Sequence, residues 1–105
     1  MHRYGIEYAK PAEGDLFALY TYIASKLKVP ETGRDQVRRI IRAVSSLDQI
    51  PERYPVFREE SSDTPPIRRM NVDSFAIFYM VEEACRKVSI VRIVYGGRDL
   101  EELLS

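Results

Sequence analysis

The sequence predicts an α+β domain: an N-terminal strand, an α-helical hairpin, and a three-stranded antiparallel meander that completes one sheet with the first strand. Three observations carry this. Apolar residues recur at helical spacing in two stretches separated by a proline. Three runs rich in β-branched and aromatic residues follow, divided by short polar turns. Near the N-terminus Tyr4, Ile6 and Tyr8 alternate with Gly5 and Glu7, the period-two pattern of a short strand.

That first strand ends at Lys10-Pro11, and Pro11 suits the first position of a helix, where its missing N–H costs nothing. From there Ala12, Leu16, Leu19, Tyr20, Ile23 and Leu27 mark one helical face. Glu13 and Asp15 at its start and Lys26 and Lys28 at its end have the signs that the helix dipole favours. Pro30 breaks the chain, and a second helix is expected from about Glu31 or Thr32. Its apolar face reads Val37, Ile40, Ile41, Val44, Leu47 and Ile50, and Pro51 ends it. The opposite stripe of Arg34, Arg38 and Arg42 reads as a solvated face. So short a connection predicts an antiparallel hairpin.

Residues 52–66 hold Pro55, Pro65 and Pro66 with Ser61, Ser62 and Asp63, and read as a loop anchored by Val56 and Phe57. The meander strands are Ile67 to Val72, Phe75 to Val81 and Val88 to Tyr95, joined through Asp73-Ser74 and residues 82–86. Gly96-Gly97 stops the last strand, and Leu100, Leu103 and Leu104 suggest a final helical turn. The first strand is expected to join the sheet beside the last. The middle strand is apolar on both sides, which calls for cover on both faces, by the helices on one and by the C-terminal turn or a partner on the other.

The 105 residues allow one domain, expected to span the whole chain. A hydrophobic fraction of 45% excludes a disordered chain. The N-terminus has no signal-peptide pattern, and the longest apolar run is too short to span a bilayer, so a cytoplasmic protein without membrane contact is expected. One cysteine, Cys85, excludes an internal disulfide. One histidine and one cysteine build no metal site, and Gly96-Gly97 lacks the context of a phosphate loop, so neither metal nor cofactor is expected. Sixteen basic and sixteen acidic residues cancel, which argues against a free-standing nucleic-acid binder. His2 is assigned no role.

The element order and several motifs resemble the RelE/ParE toxin superfamily. The resemblance runs over nearly the whole chain: Tyr8-Ala9-Lys10-Pro11-Ala12-Glu13-Gly14-Asp15-Leu16, Tyr20-Thr21-Tyr22-Ile23, and Leu47-Asp48-Gln49-Ile50-Pro51. Its most specific part is Ile67-Arg68-Arg69-Met70, Phe75-Ala76-Ile77-Phe78-Tyr79, and the segment from Val88 through Tyr95, Gly96, Gly97 and Arg98 to Leu100. The resemblance implies the toxin of a type II toxin–antitoxin pair, of the kind also called plasmid stabilisation proteins, held inactive by a cognate antitoxin. DNA contact would come only through that antitoxin. ParE-like members poison DNA gyrase; RelE-like members cut mRNA on the ribosome.

Cleavage through a 2′-hydroxyl needs a base, an acid and cations for the phosphorane. By resemblance the candidates are Arg69, Tyr95 and Arg98, with Arg58 joining from the loop. Several departures point instead toward the ParE-like activity. Residues 52–60 carry Arg53 and Arg58 but no lysine, Ala76 replaces a common basic residue, and Tyr95 stands where many members have His. Leu103 and Leu104 stand about where RelE has its catalytic tyrosine. A tyrosine with an ordinary pKa near ~10 is a poor base at neutral pH. A ParE-like toxin acting by binding is therefore the first expectation, a RelE-like ribosome-dependent endonuclease the second, and a non-toxic antitoxin-binding relative the third. In all three, Arg58, Arg69, Leu16, Leu19, Tyr20 and Ile23 are candidate contacts for the target or antitoxin, which is expected along the helix hairpin and the sheet. Tyr79 reads as a core tyrosine with one hydroxyl partner, and Arg92 as an ion-paired or exposed residue. Of Arg68 and Arg69, alternation allows only one on the concave face.

Overall fold

The computed structural model describes residues 3–26 and 30–95. Strand β1 (Gly5–Tyr8) leads into α1 (Lys10–Lys26) and α2 (Pro30–Ser45). Two single 3-10 turns, Ser46–Asp48 and Pro51–Arg53, precede β2 (Val56–Arg58). Strands β3 (Ile67–Val72), β4 (Phe75–Glu82) and β5 (Lys87–Tyr95) complete one five-stranded sheet of order β1-β5-β4-β3-β2. The helix hairpin and the meander are as expected, and β1 does lie beside β5, in parallel, with Tyr8 opposite Ile90. The remaining pairs are antiparallel.

The alternation of β4 divides its side chains between two apolar clusters. Ile77 and Tyr79 face the helices and join Ala12, Ile40, Val44, Leu47, Met70, Val88, Ile90 and Ile93. Ala76 and Phe78 face away and join Ile67 and Val94. Burying each such aliphatic or aromatic side chain stabilises the fold by roughly 1.5–3 kcal/mol. The helices cover one apolar face of β4 as expected, whereas the C-terminal turn expected over the other lies outside the described residues.

Two boundaries differ from the sequence reading. Helix α2 stops at Ser45, not near Ile50. Pro51 disfavours helical backbone at the residue before it, and Ile50 takes a left-handed conformation, φ 48°. The Ser46 hydroxyl also donates to the Ala43 carbonyl at 2.6 Å. Leu47 still reaches the core, but Ile50 is exposed. The second difference is β2, within what reads as a loop: Val56 pairs with Arg68 and Arg58 with Ile67, and the Arg69 N–H donates to Pro55 O at 3.1 Å. Three residues between prolines carry too little period-two signal, and the pairing is supplied by β3. The expected C-terminal turn at Leu100 to Leu104 lies outside the described residues.

Candidate functional site

Strand β1 ends at Tyr8, opposite Ile90, so beyond that point β5 has no strand on its β1 side. The register of β5 against β4 also shifts here: Tyr79 pairs with Ile90 but Phe78 with Arg92, leaving Val91 as the extra residue of a bulge. Helix α1 covers the bare edge with Asp15. Its carboxylate accepts two bonds from the Arg92 guanidinium, at 2.8 and 2.9 Å, and one from the Ile93 N–H at 2.8 Å. The hydrogen bond to Asp15 holds Arg92 more firmly protonated. Arg92 is therefore ion-paired, as the sequence suggests.

Past this clamp a groove of about 730 Å3 opens between α1, α2 and the ends of β4 and β5. Its walls include Ala18, Leu19, Tyr22, Phe75, Ile93 and Tyr95. Tyr22 and Tyr95 are both 60% exposed. Tyr95 meets Phe75 edge-on, centroids 5.5 Å apart. Gln36 and Ser74 add polar groups at the wall.

The other face carries Arg69. Its guanidinium lies 5.6 Å from the Phe78 ring centroid, and its Nε donates to Asn71 Oδ1 at 3.0 Å. Phe57 of β2 packs edge-on against the same ring at 4.9 Å. Arg58, half-buried, ends β2 beside Ile67. Arg68 turns the other way and donates to the carbonyls of Glu52 and Tyr54, at 2.9 and 2.7 Å. The hydroxyl of buried Tyr79 donates to Pro51 O at 2.6 Å, and burial pushes its pKa up to about 12. Tyr79 is a core residue with one partner, as its position predicts.

Arg69 and Tyr95, named together from the sequence, are separated by the sheet. Arg69 is opposite Phe78, Phe75 is opposite Tyr95, and Phe75 and Phe78 are an odd number of residues apart on one strand. Their side chains therefore project to opposite faces. Arg98 lies outside the described residues. Leu16 and Leu19 are half-buried against the main core, and Tyr20 is half-buried. Ile23 lies on α1, with its side chain outside the described set. Among the described side chains of α1, the most exposed apolar groups are Phe17, at 72%, and Tyr22. Sequence reasoning passed over both, although neither fits the spacing of the Ala12–Leu16–Leu19 face, which was the available signal. Among the described residues, no group of His, Cys, Asp or Glu could hold a metal ion. No described helix is long and apolar enough to cross a membrane.

A strand, a helix hairpin and a meander closing beside the first strand define a class that solved structures also display. A chain of the chromosomal ParDE toxin–antitoxin system of P. aeruginosa is similar with a TM-score of 0.71 and 21% identity, over 91% of this chain and 99% of that one. A chain of the RelBE2 toxin–antitoxin complex of Mycobacterium tuberculosis gives 0.63 and 17%, over 93% and 97%. A chain of the archaeal RelE–RelB complex of Pyrococcus horikoshii gives 0.62 and 17%, over 92% and 99%. At these identities the likeness is one of fold. No curated protein matches the sequence. The family is shown by sequence: residues 6–100 match the ParE toxin of the type II toxin–antitoxin system parDE, and the chain belongs to that family.

Proposed function

We propose that this chain arrests growth in the cytoplasm by binding DNA gyrase, acting as a single domain, and that a cognate antitoxin neutralises it. The observation that carries the choice of binding over RNA cleavage is the separation of Arg69 and Tyr95 onto opposite faces. The group that moves a proton and the cation that holds the charged phosphorane must meet at one phosphate, which residues on opposite faces of a sheet do not. The antitoxin reading is supported by the family and by the groove between hairpin and sheet. A mostly apolar cleft walled by Leu19, Phe75 and Ile93, with two exposed tyrosines, suits the apolar face of a partner segment. DNA would be contacted through the antitoxin.

A second reading has one observation in its favour. Arg69, Phe57 and Phe78 place a guanidinium and aromatic edges together on the face away from the helices, and such groups can hold a phosphate and stack a base. On that reading the chain cuts mRNA on the ribosome. Purified protein titrated into a gyrase supercoiling reaction decides between them. Inhibition that persists in the Arg69→Ala variant supports the first reading; unaltered supercoiling at high excess, with mRNA cleaved on programmed ribosomes, supports the second.

A further inference from the structure

The turn between β3 and β4 is a wall shared by two cavities. Ser74 and Phe75 line the groove, where Gln36 of α2 stands with them. The same two residues, with Arg69, Asn71 and Asp73, line a second cavity of about 260 Å3. Asp73 is nonetheless tied to α2. Its Oδ2 accepts from Gln36 Nε2 and from Arg39 Nε, each at 2.9 Å. Gln36 also braces the arginine, since its Oε1 accepts from Arg39 Nη2 at 3.4 Å. The three side chains form one network, and Gln36 is the member that reaches the groove.

The side chains of Arg39 and Asp73 remain 56% and 43% exposed. An ion pair so exposed contributes little net stability, so its carboxylate can change partners at small cost. A second partner stands in the other cavity. Arg69 leans along β3 toward the turn, because its Nε donates to Asn71 Oδ1 at 3.0 Å, two residues nearer to Asp73. The side-chain partners of Arg69 among the described residues, that amide and the Phe78 ring, are both neutral. A carboxylate arriving there would give the guanidinium a charged acceptor, and charge-assisted hydrogen bonds are the stronger kind.

We infer that Asp73 is a two-position switch: a groove occupant that draws Gln36 away releases the Asp73 carboxylate from α2 to pair with Arg69. An occupant that presents a carbonyl or carboxylate to Gln36 Nε2 takes the donor that Asp73 holds in this structure. Arg39, no longer braced, is then one exposed arginine competing with another. The occupant's bond to Gln36 forms in only one of the two arrangements, which is what lets it shift the balance between them. The new pair cancels the Arg69 charge on the face away from the helices. Filling the groove therefore alters a surface that the occupant does not touch. The switch goes beyond the toxin reading and holds whichever target the chain meets.

The test uses the full chain and follows the Arg69 Nε–H signal by NMR, assigned by its loss in Arg69→Lys. Thermal unfolding checks that each variant folds. Gln36→Ala removes the groove-side donor as an occupant would, and Gln36→Ala/Arg39→Gln empties the α2 position altogether. Both should shift the Arg69 signal and slow its exchange with water, the double variant by more. Asp73→Asn removes the charge but keeps the turn, because Asn accepts the left-handed backbone of this residue, φ 55°. In that background the same substitutions should leave the signal where it was. The inference is overturned if the signal stays unmoved when both α2 donors are gone, or if it moves as far without the Asp73 carboxylate. It is overturned too if Gln36→Ala alone leaves the signal unmoved, since the groove would then have no hold on the switch.

Discussion

The two faces of the sheet are both apolar at their centre, yet they hold their polar groups differently. On the helix side, ten buried residues from both helices, the Ser46–Asp48 turn and three strands form one core, and several polar groups beside it are bound in fixed pairs, although the Tyr8 hydroxyl is buried there without a partner among the described residues. Tyr79 has Pro51 O, Arg68 has two backbone carbonyls, and Asp15 has both Arg92 and the Ile93 N–H. On the other side, among the described residues, only Ile67, Ala76, Phe78 and Val94 are buried together, and Arg69 lies over a ring and bonds to a residue of its own strand. The difference teaches which side specifies the fold. The helix face fixes register and docks the hairpin, whereas the far face can change its surface groups without loosening that core.

Substitutions can break or sharpen this contrast. Ile77→Ala, fully buried under the helices, should cost about 2–5 kcal/mol, read as a lower denaturant midpoint. Phe57→Ala on the far face, whose side chain is partly exposed already, should cost about 1 kcal/mol. Equal losses would erase the distinction. Asp15→Ala should cost about 1–3 kcal/mol, because it leaves the partly buried Arg92 and the Ile93 N–H without their acceptor. Asp15→Asn should recover part of that loss by still accepting from Ile93. Tyr79→Phe should cost about 1–2 kcal/mol through the orphaned Pro51 carbonyl, whereas Tyr95→Phe should leave stability unchanged.

The smallest expected effect is one of pH. The hydrogen bonds from Gln36 and Arg39 hold the Asp73 carboxyl below its ordinary value. A carboxylate with a depressed folded pKa contributes stability above its unfolded pKa and loses it as pH falls through the folded one. The α2 latch should therefore weaken only below about pH 4. Asp73→Asn should lower stability slightly at neutral pH, where the latch is present, and flatten the acid limb, so that variant and parent converge at low pH.

Much of this architecture is legible in the residues. Period two marks β1, helical spacing marks both helices, and the short turns at Asp73-Ser74 and residues 82–86 fix the meander. Even the partners of Tyr79 and Arg92 are foreshadowed, because a buried tyrosine or arginine needs one. What the sequence hides depends on pairing between distant segments. Strand β2 exists through β3, and the early end of α2 follows from Pro51 together with the carbonyls that Arg53 gathers. Asp15 reads locally as a helix-dipole residue, and only the short β1 shows that it also covers the edge of β5. The candidate site was legible as residues but not as a constellation. Arg69 and Tyr95 each sit in a plausible strand, and only the register of β3 and β5 against β4 assigns them to opposite faces.

If the chain acts as proposed, growth stops through gyrase and not through cleavage of RNA. Pulse-labelling of DNA and protein synthesis in the minutes after the chain is induced alone tests it most directly. With gyrase as the target, DNA synthesis falls first, and Arg69→Ala leaves this order unchanged. A fall in protein synthesis before DNA synthesis, abolished by Arg69→Ala, would contradict it.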